Sequence, residues 1–144
     1  MSLAAGSLAA LTIPLTASPA AALENDGWCP VIQVKHFTPT KTAQGWLGNN
    51  WSNMYRLDPV NLTVKDDYAD GHHVAVRLVT WQLDGGIHYW KWRHNYDGNN
   101  KSKSWSTEAS DNEGIAYAAV QAGVFEGDDL LISCISAKHK NPTW

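Results

Sequence analysis

The chain has 144 residues, eight tryptophans and a formal net charge of −3. That length leaves room for one ordinary domain, not two. Mild acidity without a basic run argues against nucleic acid as the main partner, and against adhesion to an anionic membrane.

Residues 3–22 are uncharged and dominated by Ala, Leu, Thr and Ser. Ala20-Ala21-Ala22 matches a small-residue cleavage site, with Pro19 just before it. These features predict a secretory leader over residues 1–22 and a single secreted domain over 23–144, with no membrane attachment after cleavage. No Lys or Arg precedes the apolar run, which departs from the usual leader. A transmembrane anchor is the alternative, opposed by Pro14 and Pro19. Two cysteines, Cys29 and Cys134, lie near the ends of the mature segment. In an exported chain they predict one disulfide. Two free thiols, one of them a nucleophile, are the alternative.

Cys29 to Phe37 alternates Ile32 and Val34 with Gln33 and Lys35, a half-buried strand. Thr38 to Tyr55 has no clean period and is expected to form a long loop. It carries Trp46 and Trp51, which either bind something or cap one end of the core. A short strand is expected around Met54 to Leu57. Val60 to Asp66 alternates again and predicts a strand, followed by a turn over Asp66 to Gly71.

His72 to Tyr96 is the most regular stretch, two strands joined near Asp84-Gly85-Gly86. Asp97 to Lys103 is a polar turn, and Ser104 to Thr107 a short strand around Trp105. Ile115 to Phe125 fits helix or strand by period, and the Gly/Asp turns on either side favour a strand. Leu130 to Ser136 is an apolar strand holding Cys134, and the last eight residues read as a tail. Short strands between Gly, Asn and Asp turns predict an all-β fold. The architecture expected is an antiparallel β-sandwich of about 7–8 strands, closed by Cys29–Cys134.

The register of the central hairpin decides what it exposes. With a three-residue loop at Asp84–Gly86, Leu78 faces Trp92, Val76 faces His94 and Val74 faces Tyr96. One face then gathers Val74, Val76, Leu78, Trp90, Trp92 and Tyr96 as core. The other sets Trp81 opposite Tyr89, Val79 opposite Lys91, and Arg77 opposite Arg93. The last pair is a like-charge contact that an anion or an acidic partner would relieve. The candidate binding residues are therefore Trp81, Tyr89, Lys91, Arg77 and Arg93, with Trp46 and Trp51 from the long loop.

Catalytic and metal chemistry finds little support. His72 and His73 are adjacent and point to opposite faces of a strand. His88 and His94 share a face but lie about 20 Å apart at roughly 3.3 Å per residue, too far for one zinc ion. Asp66, Asp67 and Asp70 resemble a calcium loop only loosely, because Tyr68 occupies a ligand position. Asp128, Asp129 and Glu126 fall on an expected hairpin tip without a cleft. No nucleophile elbow, phosphate loop or dinucleotide fingerprint is present. No catalytic residue, metal or cofactor is expected.

Val64-Lys65-Asp66, then Ala69-Asp70-Gly71-His72-His73 before an alternating strand, a Trp-containing middle and a late strand with one Cys resemble the small secreted β-proteins of actinobacteria such as Streptomyces. The resemblance spans about Cys29 to Ser136. It implies export and a β fold; some similar proteins serve as protease inhibitors or as adaptor subunits of secreted antibacterial particles. The function expected is a secreted, non-enzymatic binding protein: a protein-binding module or adaptor of a secreted complex. Alternatives are a carbohydrate-binding module that stacks extracellular glycans on Trp and Tyr, and a small secreted hydrolase or inhibitor.

Overall fold

The computed structural model describes residues 24–144, so the leader expected over residues 1–22 lies outside the described residues. These residues form β1 (Glu24–Lys35), β2 (Thr38–Asn53), β3 (Arg56–Asp66), β4 (His73–Trp81), β5 (Ile87–Tyr89), β6 (Arg93–Asn95), β7 (Ser102–Ser110), β8 (Tyr117–Glu126), β9 (Asp129–Ile135) and β10 (His139–Lys140). Every pairing is antiparallel. One sheet has the order β1-β2-β3-β7. In the other, β4 and β8 are central, β5 and β6 follow one another along the free side of β4, and β9 and β10 along that of β8. The ten strands thus make two sheets each four ribbons wide, which is the sandwich that the alternation predicts.

The core lies between the sheets. Val60, Leu62 and Val64 of β3 point inward, while Asn61, Thr63 and Lys65 point out. Val74, Val76 and Leu78 of β4 and Val120, Ala122 and Val124 of β8 meet them from the other side. Burying one such aliphatic side chain contributes about 1.5–3 kcal/mol. Cys29 on β1 is bonded to Cys134 on β9, with Cα atoms 5.8 Å apart, a normal separation for a disulfide. The bond ties the two sheets together along one open side.

Thr38 to Asn53 is a 16-residue strand and not the expected loop. It is central, bonded to β1 on one side and β3 on the other, and this pairing overrides its Gly and Asn content. Gly45 sits at a close approach of the two sheets: a Cβ there would lie 2.7 Å from the Cβ of Ala122. Trp51 packs against the core. Trp46 pairs with Trp28 and Thr63 on the outer surface of the first sheet. The expected loop pair Trp46 and Trp51 is therefore divided between two environments.

The C-terminal tail is pinned. Asn141 is fully buried, and its amide donates to the carbonyls of Ile115 at 2.9 Å and Asn53 at 3.2 Å. Its side-chain oxygen accepts from the backbone N–H and the hydroxyl of Thr143.

The central hairpin has a three-residue loop one position upstream of the expected one. Gln82 N–H donates to the Gly86 carbonyl, and Leu83, Asp84 and Gly85 make the turn, with Gly85 at a φ of 94°. Trp81 consequently faces Ile87 and Val79 faces Tyr89, which corrects the expected partners without exchanging the faces. Farther along, a bulge intervenes. Trp90 N–H donates to the Leu78 carbonyl, yet Val76 faces Arg93. One extra residue on the second strand flips everything beyond it. Trp92 and Tyr96, expected in the core, therefore lie on the outer face. Arg93 faces Val76 and not Arg77, so the expected like-charge pair does not form.

Candidate functional site

The outer face of the β4–β8 sheet is built from alternate residues of each strand. β4 contributes His73, Ala75, Arg77, Val79 and Trp81. Their partners on β8 are Phe125, Gly123, Gln121, Ala119 and Tyr117. β5 adds Ile87 and Tyr89, and β9 adds Ser133 and Ile135. Ala75, Val79 and Ala119 are small and fully buried. They form a recessed floor from which the larger side chains rise. No Asp or Glu stands at any of these outward positions.

Arg77 is at the centre. Its Cζ lies 4.4 Å from the ring centroid of Tyr89 and 4.4 Å from that of Trp92. Its Nε donates to Gln121 Oε1 at 2.7 Å, and Gln121 Nε2 donates to Ser133 Oγ at 3.1 Å. The two amide contacts fix the guanidinium plane. Burial lowers the pKa of Arg77 from its usual value, but an arginine remains charged at any physiological pH. Among the described residues, no carboxylate pairs with Arg77 and neither of its η nitrogens has a hydrogen-bond partner. Around it, Ile87, Tyr89 and Ile135 stay 49%, 48% and 44% exposed.

The aromatic lining continues in both directions. Trp92 meets Phe125 edge-on at 5.1 Å, and Phe125 stacks with His73 at 5.6 Å. A hydrogen bond of 3.0 Å joins His73 Nε2 and His94 Nδ1. Tyr96 covers His73 at 4.4 Å. Burial, then the neighbouring His94, holds the His73 imidazole below its ordinary pKa. At the other end, Lys138 Nζ sits 4.3 Å over the Trp81 ring and Lys140 Nζ 4.9 Å over Trp144, which meets Tyr117 edge-on.

The expected binding residues are thus only partly united. Arg77 and Tyr89 touch, with Trp81 on the same face. Lys91 and Arg93 instead line a crevice of about 220 Å³ with Leu62, Leu78, Trp90, Thr107 and Glu108, where β7 and β6 face each other. Trp46 and Trp51 belong to the first sheet. Trp92, Phe125, Tyr117, Gln121 and Ile135 are on the outer face without having been singled out. Trp92 was misplaced by the bulge, whereas the other four lie on strands whose alternation had no aromatic hairpin to draw attention to it.

Two polar clusters lie elsewhere. A cavity of about 530 Å³ at one end of the sandwich is lined by Asp66, Tyr68, Asp70, His72, His73 and Tyr96 among others. Burial raises the Asp66 carboxyl above its usual range, and His72 pairs with Asp70 at 3.1 Å. At the opposite end, His88 Nδ1 contacts Asp111 Oδ2 at 3.1 Å and stacks on Trp90 at 4.3 Å. Burial works against the Asp111 carboxylate, but hydrogen bonds from His88, the Glu113 N–H and Gln82 outweigh it and hold its pKa low. No described hydroxyl or thiol hydrogen-bonds to His88. No group of three or more His, Cys, Asp or Glu among the described residues is placed to hold a metal ion. His88 and His94, expected on one face, are on opposite faces because the bulge lies between them.

No helix among the described residues is long and apolar enough to cross a membrane. No protein-family model matches the chain, and no curated protein matches it.

Proposed function

We propose that the protein is a secreted, non-catalytic binding module that recognises another protein through the outer face of the β4–β8 sheet. The observation that carries this is the set of half-exposed Ile87, Tyr89 and Ile135 around the Arg77–Trp92 pair. Aromatic rings, arginine and aliphatic side chains on a rigid, recessed floor have the composition of the energetic centre of a protein interface. Half-exposed apolar side chains gathered on one face and rimmed by polar groups are a feature of interaction sites. The disulfide and the charge-free leader support an exported protein.

A glycan platform is less well supported by the same face. Sugar rings need a free aromatic face for stacking. One face of Trp81 is covered by Lys138 and one face of Trp92 by Arg77.

The test is affinity capture from the culture fluid of the source cells. Wild-type protein is expected to retain a protein partner that Tyr89→Ser combined with Ile135→Asp releases, with the thermal midpoint of the variant checked first. Capture that survives both substitutions sinks the assignment of the face. Saturable tryptophan quenching by a soluble cell-wall glycan, abolished by the same pair, would replace a protein partner with a carbohydrate.

A further inference from the structure

We infer that the occupant of this face is a segment of a different protein that presents a carboxylate to Arg77 from among apolar side chains. This rests on the recognition role proposed above and adds the chemistry of the partner.

The reasons are local and electrostatic. The guanidinium spends one donor on Gln121, which orients the plane. Its η nitrogens carry four N–H groups with no acceptor among the described residues, in a setting where leaving donors unpaired beneath a partner is costly. A planar guanidinium matches a carboxylate bidentately. The flanking rings of Tyr89 and Trp92 keep water from the sides of the ion. Tyr89 and Trp92 flank it, and Ile135 lies beyond Gln121 in the same row across the strands, so apolar side chains around the incoming acid would meet apolar partners.

Charge complementarity on a larger scale agrees. The whole chain has 11 Lys and Arg against 14 Asp and Glu. This face nonetheless carries Arg77, Lys138 and Lys140 on its rings and no carboxylate at its outward strand positions. A second copy of the chain is a poor occupant for the same reason. A two-fold pairing sets residues near the axis against their own copies, and the central residue here is a cation.

The experiment uses displayed libraries of short random peptides, selected on the disulfide-bonded protein. Selection on wild type is expected to enrich Asp or Glu flanked by apolar residues. Converting that acid to its amide in a selected peptide should weaken binding roughly tenfold, the scale of one charge-assisted hydrogen bond. On Arg77→Met the same conversion should make no difference. Arg77→Gln carries the comparison if the Met variant does not fold. An equal loss on wild type and variant overturns the inference, as does selection of peptides without an acid, or of no peptides. So do tighter binding of oligogalacturonate than of any selected peptide, and a concentration-dependent dimer abolished by Tyr89→Ser. Peptides that still bind Tyr89→Ser/Ile135→Asp show that the face itself was misassigned. Peptides that lose binding there without coupling to Arg77 leave the face standing and remove only the carboxylate.

Discussion

His73 shows how one residue joins the candidate face to the stability of the fold. Its ring is packed among His94, Tyr96 and Phe125 and is hydrogen-bonded to His94. Burial first, then His94 and His72, lowers its pKa from the ordinary 6.5, while Asp128 opposes them. The folded state therefore prefers the neutral ring. Its contribution is fully present above pH 6.5 and is lost as the pH falls from there towards the depressed folded value, because the unfolded chain takes up the proton first. The thermal midpoint should drop between pH 7 and pH 5, and His73→Phe should flatten that drop; an unchanged profile in the variant would remove His73 as the cause. At this scale much was legible. The Cys29–Cys134 bond followed from two cysteines in a chain read as exported. The outward positions of Arg77, Trp81 and Tyr89 followed from alternation. Trp92 was not legible, because Trp90 to Arg93 alternates without a break and only the backbone shows the extra residue.

β2 illustrates the limits of local propensity at the level of an element. Its glycines and asparagines read as a loop, yet bonding on both sides makes it a central strand. Gly45 is present because the opposing sheet leaves no space for a side chain. Gly45→Ala should cost about 1–3 kcal/mol by overpacking, and Ala122→Gly in the same chain should recover part of it. Urea denaturation of the single and double variants measures this; additive losses would show that the two positions do not meet. A glycine chosen for close approach and one chosen for a turn look alike in a sequence. The bulge at Trp90 to Trp92 has the opposite effect. It interrupts a strand that looks perfect, and by doing so turns one tryptophan into the core and the other beside Arg77. The candidate face thus depends on an irregularity that alternation conceals, while the sheet that carries it follows from alternation.

Considered as a whole, the sandwich is fastened unevenly. The disulfide joins β1 to β9 on one side. On the other, β7 faces β6 across the crevice lined by Trp90 and Arg93, without a covalent link. Local opening in proteins follows the weakest boundary, so the molecule should behave as a hinged pair of covers with its clasp at β1 and β9. Amide hydrogen exchange would record this: protons of β6 and β7 should exchange ahead of those of β1 and β9 in the oxidised protein. Reduction should erase the contrast by releasing the protected side. Closure of a loop this long stabilises by about 4–5 kcal/mol in the chain-entropy model. Uniform exchange on both sides before reduction would contradict it. Arg77 and Trp92 belong to the strand pair next to the free side, so any breathing of the covers also reshapes the surface a partner would meet. The disulfide, anchored on β9 between Ser133 and Ile135 of that same surface, would then govern how often it is held in one form.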